Sequence, residues 1–256
     1  MKFKDFSEGG GNRKDMAKVI ETRGISKRFG GITAVNSLDF HVEEKEIVGL
    51  IGPNGAGKTT VFNLIMGVLR QDSGDIIFNG TNINNYPTHK RVKIGIARTY
   101  QIPKPLKEWT IFENIRISMI PDGIKSIRRI GGREEDIRRI AKETGLTEYL
   151  EKYPDELPIG ALRRLELARA LANDPKLILI DEAFAGMTKE EIDVISELLK
   201  KKRKEGMSFI IIDHNLEALA NIVDRVIVIH LGRKLAEGKL QEIIKKEDVK
   251  KAYLGE

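Results

Sequence analysis

The segment Gly52-Pro53-Asn54-Gly55-Ala56-Gly57-Lys58-Thr59-Thr60 fits the spacing G-x-x-x-x-G-K-[ST] in full. Glycines at these points let successive backbone N–H groups curve around an anion. A helix starting near Lys58 adds its positive end to the same place. Lys58 can then reach the β- and γ-phosphates of a nucleotide, and the Thr59 hydroxyl can ligate Mg²⁺. A second acidic signal is Leu177-Ile178-Leu179-Ile180-Asp181-Glu182. Four apolar residues bury a strand and deliver two acids at its C-terminal edge, the ligand side of such sheets. Asp181 can hold Mg²⁺, directly or through water. Glu182 points differently and can act as general base on an attacking water. His214 follows a third apolar strand, Phe209 to Asp213, and can contact a γ-phosphate or position water. Gln101, in Arg98-Thr99-Tyr100-Gln101, reads from position alone as a loop glutamine.

These groups need an α/β frame, and the rest of the chain supplies one. Val19–Thr22 and Ala34–Val42 read as strands around the turn Gly30-Gly31, and Ile47–Ile51 reads as a buried strand leading into the glycine-rich loop. Val61, Leu64, Ile65 and Val68 give a helix over about 58–69. Ile76–Phe78 is another strand. From about Lys104 to Lys152 the chain is charged and rich in helix formers, broken by Pro121, Gly123 and Gly131-Gly132. Ile127, Ile130, Ile137, Ile140, Ala141 and Leu146 can line helix faces there, which suggests a helical lobe inserted into the core. The α/β rhythm then returns. A helix carrying Leu162, Leu165, Ala168 and Leu171 ends near Asn173-Asp174-Pro175. Strand Leu177–Ile180, helix Glu191–Lys204, strand Phe209–Ile212, helix Leu216–Ile222 and strand Val226–Leu231 follow. This alternation predicts a mainly parallel sheet covered on both faces. Residues 236–256 read as charged helix anchored by Ile243, Ile244, Val249 and Tyr253.

Composition narrows the chemistry. The 256 residues contain no cysteine, which excludes disulfides, thiolate metal sites and cysteine nucleophiles. Lys and Arg total 44 against 38 Asp and Glu, and a charge of +6 names no partner. The apolar runs are too short to span a bilayer, and the polar first 18 residues, with three glycines at 9–11, read as a loosely held leader without a signal-peptide core. The expected location is cytoplasmic.

Taken together, the motifs resemble the nucleotide-binding subunit of ABC transporters over about residues 19–254. The resemblance is nearest to the ATP-binding proteins of branched-chain amino acid importers. It rests on Lys27-Arg28-Phe29-Gly30-Gly31, the phosphate loop, Arg98-Thr99-Tyr100-Gln101, Leu157-Pro158-Ile159-Gly160-Ala161-Leu162-Arg163-Arg164, Asp181-Glu182 and Asp213-His214. Ala236-Glu237-Gly238 and Ala252-Tyr253-Leu254-Gly255 fit the same branch. It implies an α/β P-loop core with a mainly parallel sheet, an N-terminal antiparallel β subdomain and an inserted helical lobe. The leader would be 1–18, the core 19–101 and 158–256, and the lobe 102–157, its signature helix running on to about 173. The cofactors would be ATP and Mg²⁺. Phe29 would stack on adenine, Gln101 would sense Mg²⁺ and the attacking water, and His214 would contact the γ-phosphate. Gly160, at the start of the signature helix, would face a nucleotide bound to a second subunit. The partners would be transmembrane permease subunits, a second ATP-binding subunit and, indirectly, an external solute-binding protein; no nucleic acid is expected. The chain would lie peripherally on the inner face of the cell membrane. Pro103, Leu106 and Trp109 are candidate contacts for a helix of the membrane partner.

The sequence departs from the family at two places. The usual L-S-G-G-Q is here Leu157-Pro158-Ile159-Gly160-Ala161. Pro158 replaces the serine hydroxyl and lacks even a backbone donor. What remains is Gly160 and a helix N-terminus, with Arg163 and Arg164 available to add positive charge. After Glu182, Ala183 and Thr188 replace the usual proline and acidic or amide residue. These departures favour a heterodimer over a homodimer. The alternatives are a non-transport ATPase of the same type and a regulatory ATP-binding module. A coiled-coil insertion or second phosphate loop would mark the former, and neither is present; Glu182 argues against the latter.

Overall fold

The computed structural model describes residues 17–119, 134–182 and 184–254. Most of the leader, the lobe positions Pro121, Gly123, Ile127, Ile130 and Gly131-Gly132, and also Ala183 and Gly255 lie outside the described residues. Lys18, assigned above to the leader, begins the first strand.

Two sheets meet in the chain. The first is antiparallel, in the order β2-β1-β4-β5, from β1 (Lys18–Phe29), β2 (Ile32–Glu43), β4 (Ser73–Phe78) and β5 (Thr81–Asn82). The second runs β10-β9-β3-β8-β7-β6, from β3 (Ile47–Ile51), β6 (Ile96–Arg98), β7 (Leu177–Asp181), β8 (Ser208–Ile212), β9 (Arg225–His230) and β10 (Arg233–Gly238). Its pairs are parallel except the edge pair of β9 with β10. Strands β3, β7 and β8 are buried along their whole length. That is why they read as unbroken apolar runs: both faces of a parallel sheet are covered. Helix α1 (Lys58–Ile65) packs on one face with Phe62, Leu64 and Ile65, against apolar residues of both sheets. The other face is covered by α5 (Ile159–Leu171), α6 (Lys189–Lys204) and α7 (Leu216–Ala220) through Leu167, Leu199 and Leu219. Each fully buried leucine or phenylalanine contributes roughly 1.5–3 kcal/mol.

The inserted helical lobe has its own core. Helix α3 (Ile111–Ser118) opens with a reciprocal Thr110–Glu113 capping box. Helix α4 (Glu134–Glu143) follows, and Ile115, Ile137, Ile140, Ala141, Leu146 and Leu165 are buried together between them and α5. Two expectations are corrected. The helix after the phosphate loop stops at Ile65, short of 69, because Gly67 takes φ +70° and ends it. The C-terminal stretch is not helix from 236: Ala236–Gly238 belong to β10, and helix resumes only as α8 (Leu240–Ile243) and α9 (Glu247–Leu254). Of the expected anchors, Ile243 and Val249 are buried, while Ile244 and Tyr253 are 41 % and 40 % exposed. Among the described residues no helix is long and apolar enough to cross a membrane.

One buried cation holds the α1 end of this frame. Arg91, in α2 (Thr88–Lys93), is 1 % exposed. It donates to the carbonyls of Leu64 and Ile65 at the end of α1 and to those of Tyr86 and Ile83, all at 2.7–2.8 Å. Its contacts are carbonyl dipoles rather than a carboxylate, and burial pushes its pKa down to about 10. Arg91→Met should strand the Ile65 and Tyr86 carbonyls, while those of Leu64 and Ile83 keep the N–H groups of Gly67 and Tyr86, and lower stability by about 3 kcal/mol, read as a lower urea midpoint with unchanged slope. A midpoint equal to wild type would show that the carbonyls find water instead.

Candidate nucleotide site

The phosphate loop hangs between the buried end of β3 and the start of α1. Its shape depends on two glycines that no other residue could replace. A Cβ on Gly57 (φ +104°) would lie 2.3 Å from the Ala34 carbonyl oxygen, and one on Gly52 (φ +151°) 2.1 Å from that of Ile229. The N-cap of α1 is Gly57 itself, with no side-chain cap. The first N–H groups of the helix therefore remain available to an anion. Lys58 is buried, and its ammonium donates to the carbonyls of Gly52 (2.7 Å) and Pro53 (2.9 Å). Desolvation lowers its pKa, and the nearby Asp181 and Glu182 oppose that shift.

Opposite the loop, parallel pairing of β7 with β6 and β8 sets three strand ends side by side. A cleft of about 240 Å³ brings Lys58, Thr59, Gln101, Asp181, Glu182 and His214 together. Asn54, Gly55, Ala56, Gly57 and Thr60 complete its loop wall. Gln101 Nε2 donates to Glu182 Oε1 at 2.6 Å, and His214 Nε2 stands 3.9 Å from the same oxygen. Glu182 has φ +53°, a left-handed conformation uncommon for a residue with a Cβ. Its N–H donates to the Ile212 carbonyl (2.8 Å). Asp213, beside His214, accepts from the N–H groups of Phe184 and Asn215 and so fixes both loops.

Sequence reasoning missed how Asp181 is held. Arg98, at the end of β6, donates to Asp181 Oδ2 (2.9 Å) and to Asn63 Oδ1 of α1 (2.6 Å), and this pair is almost wholly buried. The Asp181 N–H donates to Thr99 Oγ1 (3.2 Å). The available signal was a charged residue closing a short apolar strand, Ile96-Ala97, in the motif that ends at Gln101. Arg163 and Arg164, read above as charge for a phosphate, have intrachain partners. Arg163 donates to the Glu182 carbonyl (2.7 Å), and Arg164 donates to Gly145 (3.0 Å) and lies 3.6 Å from Glu191.

Four candidates do not line the cleft: Gly52 and Pro53, whose carbonyls accept from Lys58, and Phe29 and Gly160. Phe29 is at the end of β1, 45 % exposed. Gly160 lies in the first turn of α5, whose N-cap is Pro158 with no side-chain hydrogen bond, and a Cβ there would meet the Glu191 carboxylate at 2.7 Å. A glycine cradle, an uncapped helix start, a lysine, a hydroxyl and two carboxylates fit a nucleotide triphosphate with a divalent ion. Carboxylate, amide and imidazole facing that cradle can activate water against a terminal phosphate.

Comparison with known proteins agrees with this arrangement. The profile of the ABC transporter family matches residues 35–185. The chain is 36 % identical over 250 residues to the high-affinity branched-chain amino acid transport ATP-binding protein BraF of Pseudomonas aeruginosa, covering 93 % of this chain and 98 % of that protein. It is 35 % identical over 246 residues to the probable branched-chain amino acid transport ATP-binding protein LivG of Archaeoglobus fulgidus, covering 93 % and 96 %. The lipopolysaccharide export system ATP-binding protein LptB of Haemophilus influenzae is 32 % identical over 238 residues, covering 93 % and 98 %. Among solved structures, an ATP-binding cassette of an ABC transporter in its ADP conformation superposes with a TM-score of 0.82 at 30 % identity, covering 93 % and 99 %. A dimeric bacterial ABC transporter cassette gives 0.78 at 25 % identity, covering 86 % and 98 %. The profile match, the full-length likeness and the assembled cleft lead to one conclusion: this chain belongs to the ABC transporter family, as an ATP-binding subunit that hydrolyses ATP.

Proposed function

We propose that this chain powers uptake of branched-chain amino acids through separate transmembrane subunits, from the inner face of the membrane. The cleft that unites the phosphate loop with Gln101, Glu182 and His214 carries the ATPase part of this reading. Full-length likeness to two branched-chain amino acid transport proteins supports the substrate. The match to an export protein at similar identity makes direction the point to test.

In the proposed mechanism the loop N–H groups and Lys58 bind the β- and γ-phosphates, and Lys58 exchanges its carbonyl partners for phosphate oxygens. Phe29 stacks on adenine. Thr59, Gln101 and Asp181 would hold Mg²⁺, which when bound neutralises charge on the phosphate oxygens. Arg98 fixes the Asp181 carboxylate against α1. Glu182 takes a proton from the attacking water, Gln101 orients the Glu182 carboxylate, and His214 donates to the γ-phosphate. Glu182→Gln should lower kcat by about 10²-fold or more while ATP still binds. A glutamine variant with wild-type turnover would remove Glu182 from the role of base.

A groove of about 560 Å³ between the core and the lobe, lined by Val92, Tyr100, Lys104 and Arg169, would receive a helix of the membrane subunit. Leu106 and Trp109 are exposed, but neither they nor Pro103 line this groove. Co-purification should recover permease subunits, and vesicles carrying the complex should accumulate labelled leucine on ATP addition. Accumulation of another solute, or efflux, would overturn the substrate or the direction.

The site needs a signature from a second subunit, and the Pro158-capped α5 is poor in donors for that role. A heterodimer with a fuller signature on the partner accounts for this. With ATP, the Glu182→Gln chain alone should stay monomeric on size exclusion and dimerise only with that partner. A tight homodimer, with fast hydrolysis by the wild-type chain alone, would reject the heterodimer.

A further inference from the structure

The left-handed backbone at Glu182 is the least explained part of the site. A residue with a Cβ keeps φ near +53° only where its surroundings over-determine it. Two hydrogen bonds do this, one on each side of the residue. The N–H of Glu182 donates to the Ile212 carbonyl of β8 (2.8 Å), a contact within the core. The carbonyl of Glu182 accepts from Arg163 Nη1 (2.7 Å), a contact from α5. Arg163 Nε is buried and makes no hydrogen bond within the chain, so the guanidinium is held in place by its Nη1 contact to this carbonyl.

We propose that Arg163 is a positioning residue for hydrolysis: it holds the Glu182 carbonyl, and thereby the left-handed turn that aims the Glu182 carboxylate into the cleft. The inference deepens the reading of Glu182 as the base and rests on it. Without Arg163 the peptide after Glu182 loses its only clamp from the lobe among the described residues. The residue then relaxes toward ordinary φ, and its carboxylate leaves Gln101 and the phosphate loop. Gly160 and Arg163 are three residues apart on one helix, so they share a face. The helix start that meets a partner's nucleotide thus stands one turn from the contact that sets this chain's own base. The two nucleotide sites are joined through α5 within one subunit.

The test uses the full-length chain with its partner subunit, and measures ATP affinity and single-turnover hydrolysis separately. Arg163→Met should leave the ATP Kd within about twofold and slow hydrolysis by about tenfold or more. Arg163→Lys, which keeps a donor, should recover part of the rate. In a Glu182→Gln background, Arg163→Met should cause no further loss, because both changes act through one carboxylate. A further loss there would mean that Arg163 acts elsewhere, and overturns the proposal. So would wild-type hydrolysis by Arg163→Met when Glu182→Gln is inactive. If Glu182→Gln itself turned over normally, the reading of Glu182 would fail first and take this inference with it. Should Arg163→Met not fold, Arg163→Gln is held to the same outcomes.

Discussion

Backbone pressed against backbone at the phosphate loop is the constraint on which the rest of the molecule depends. Gly57 lies against the carbonyl of Ala34 in β2, and Gly52 against that of Ile229 in β9. Gly232 donates to the Ala56 carbonyl and accepts from the Asn36 N–H. These contacts join the antiparallel sheet, the parallel sheet and the loop at one point. Neither sheet could shift against the other without deforming the loop. Packed interiors transmit such displacements rather than absorb them. The anion cradle is therefore a junction of the two sheets as much as a connection between a strand and a helix.

Around that junction, charge is arranged in pairs that divide the labour. Asp181 is held by Arg98 through its side chain, from the core. Glu182, one residue on, is held by Arg163 through its backbone, from the lobe. Its carboxylate accepts from the Gln101 amide and stands 3.9 Å from the His214 imidazole. The adjacent acids thus have different partners, which suits the different tasks proposed for them.

The sequence made the inner strands legible because burial on both faces leaves a run with no alternation. Ile47–Ile51, Leu177–Asp181 and Ser208–Ile212 emerged nearly whole for that reason. The polar strand Arg233–Gly238 was hidden. It lies at the sheet edge with a single neighbour, so its register comes from β9 rather than from its own pattern. The end of α1 was overrun because Val68 keeps the helical spacing past a glycine that takes the chain out of the helix. In the site, local motifs named the groups that face the cleft. They could not give the partners of Arg98 and Arg163, which lie 83 and 19 residues away and are brought near only by strand pairing and by the packing of α5.

Lys58 shows what a cyclic machine requires of its strongest charge. Its ammonium is satisfied by two carbonyls of the loop it serves. A buried cation without partners would have to be hydrated or neutralised each time a product departs. Here the protein carries a resting berth for it. Under the proposed mechanism, nucleotide binding becomes an exchange of these carbonyls for phosphate oxygens. Such an exchange would moderate affinity and ease product release, which suits a transport motor that gains more from ready turnover than from tight retention.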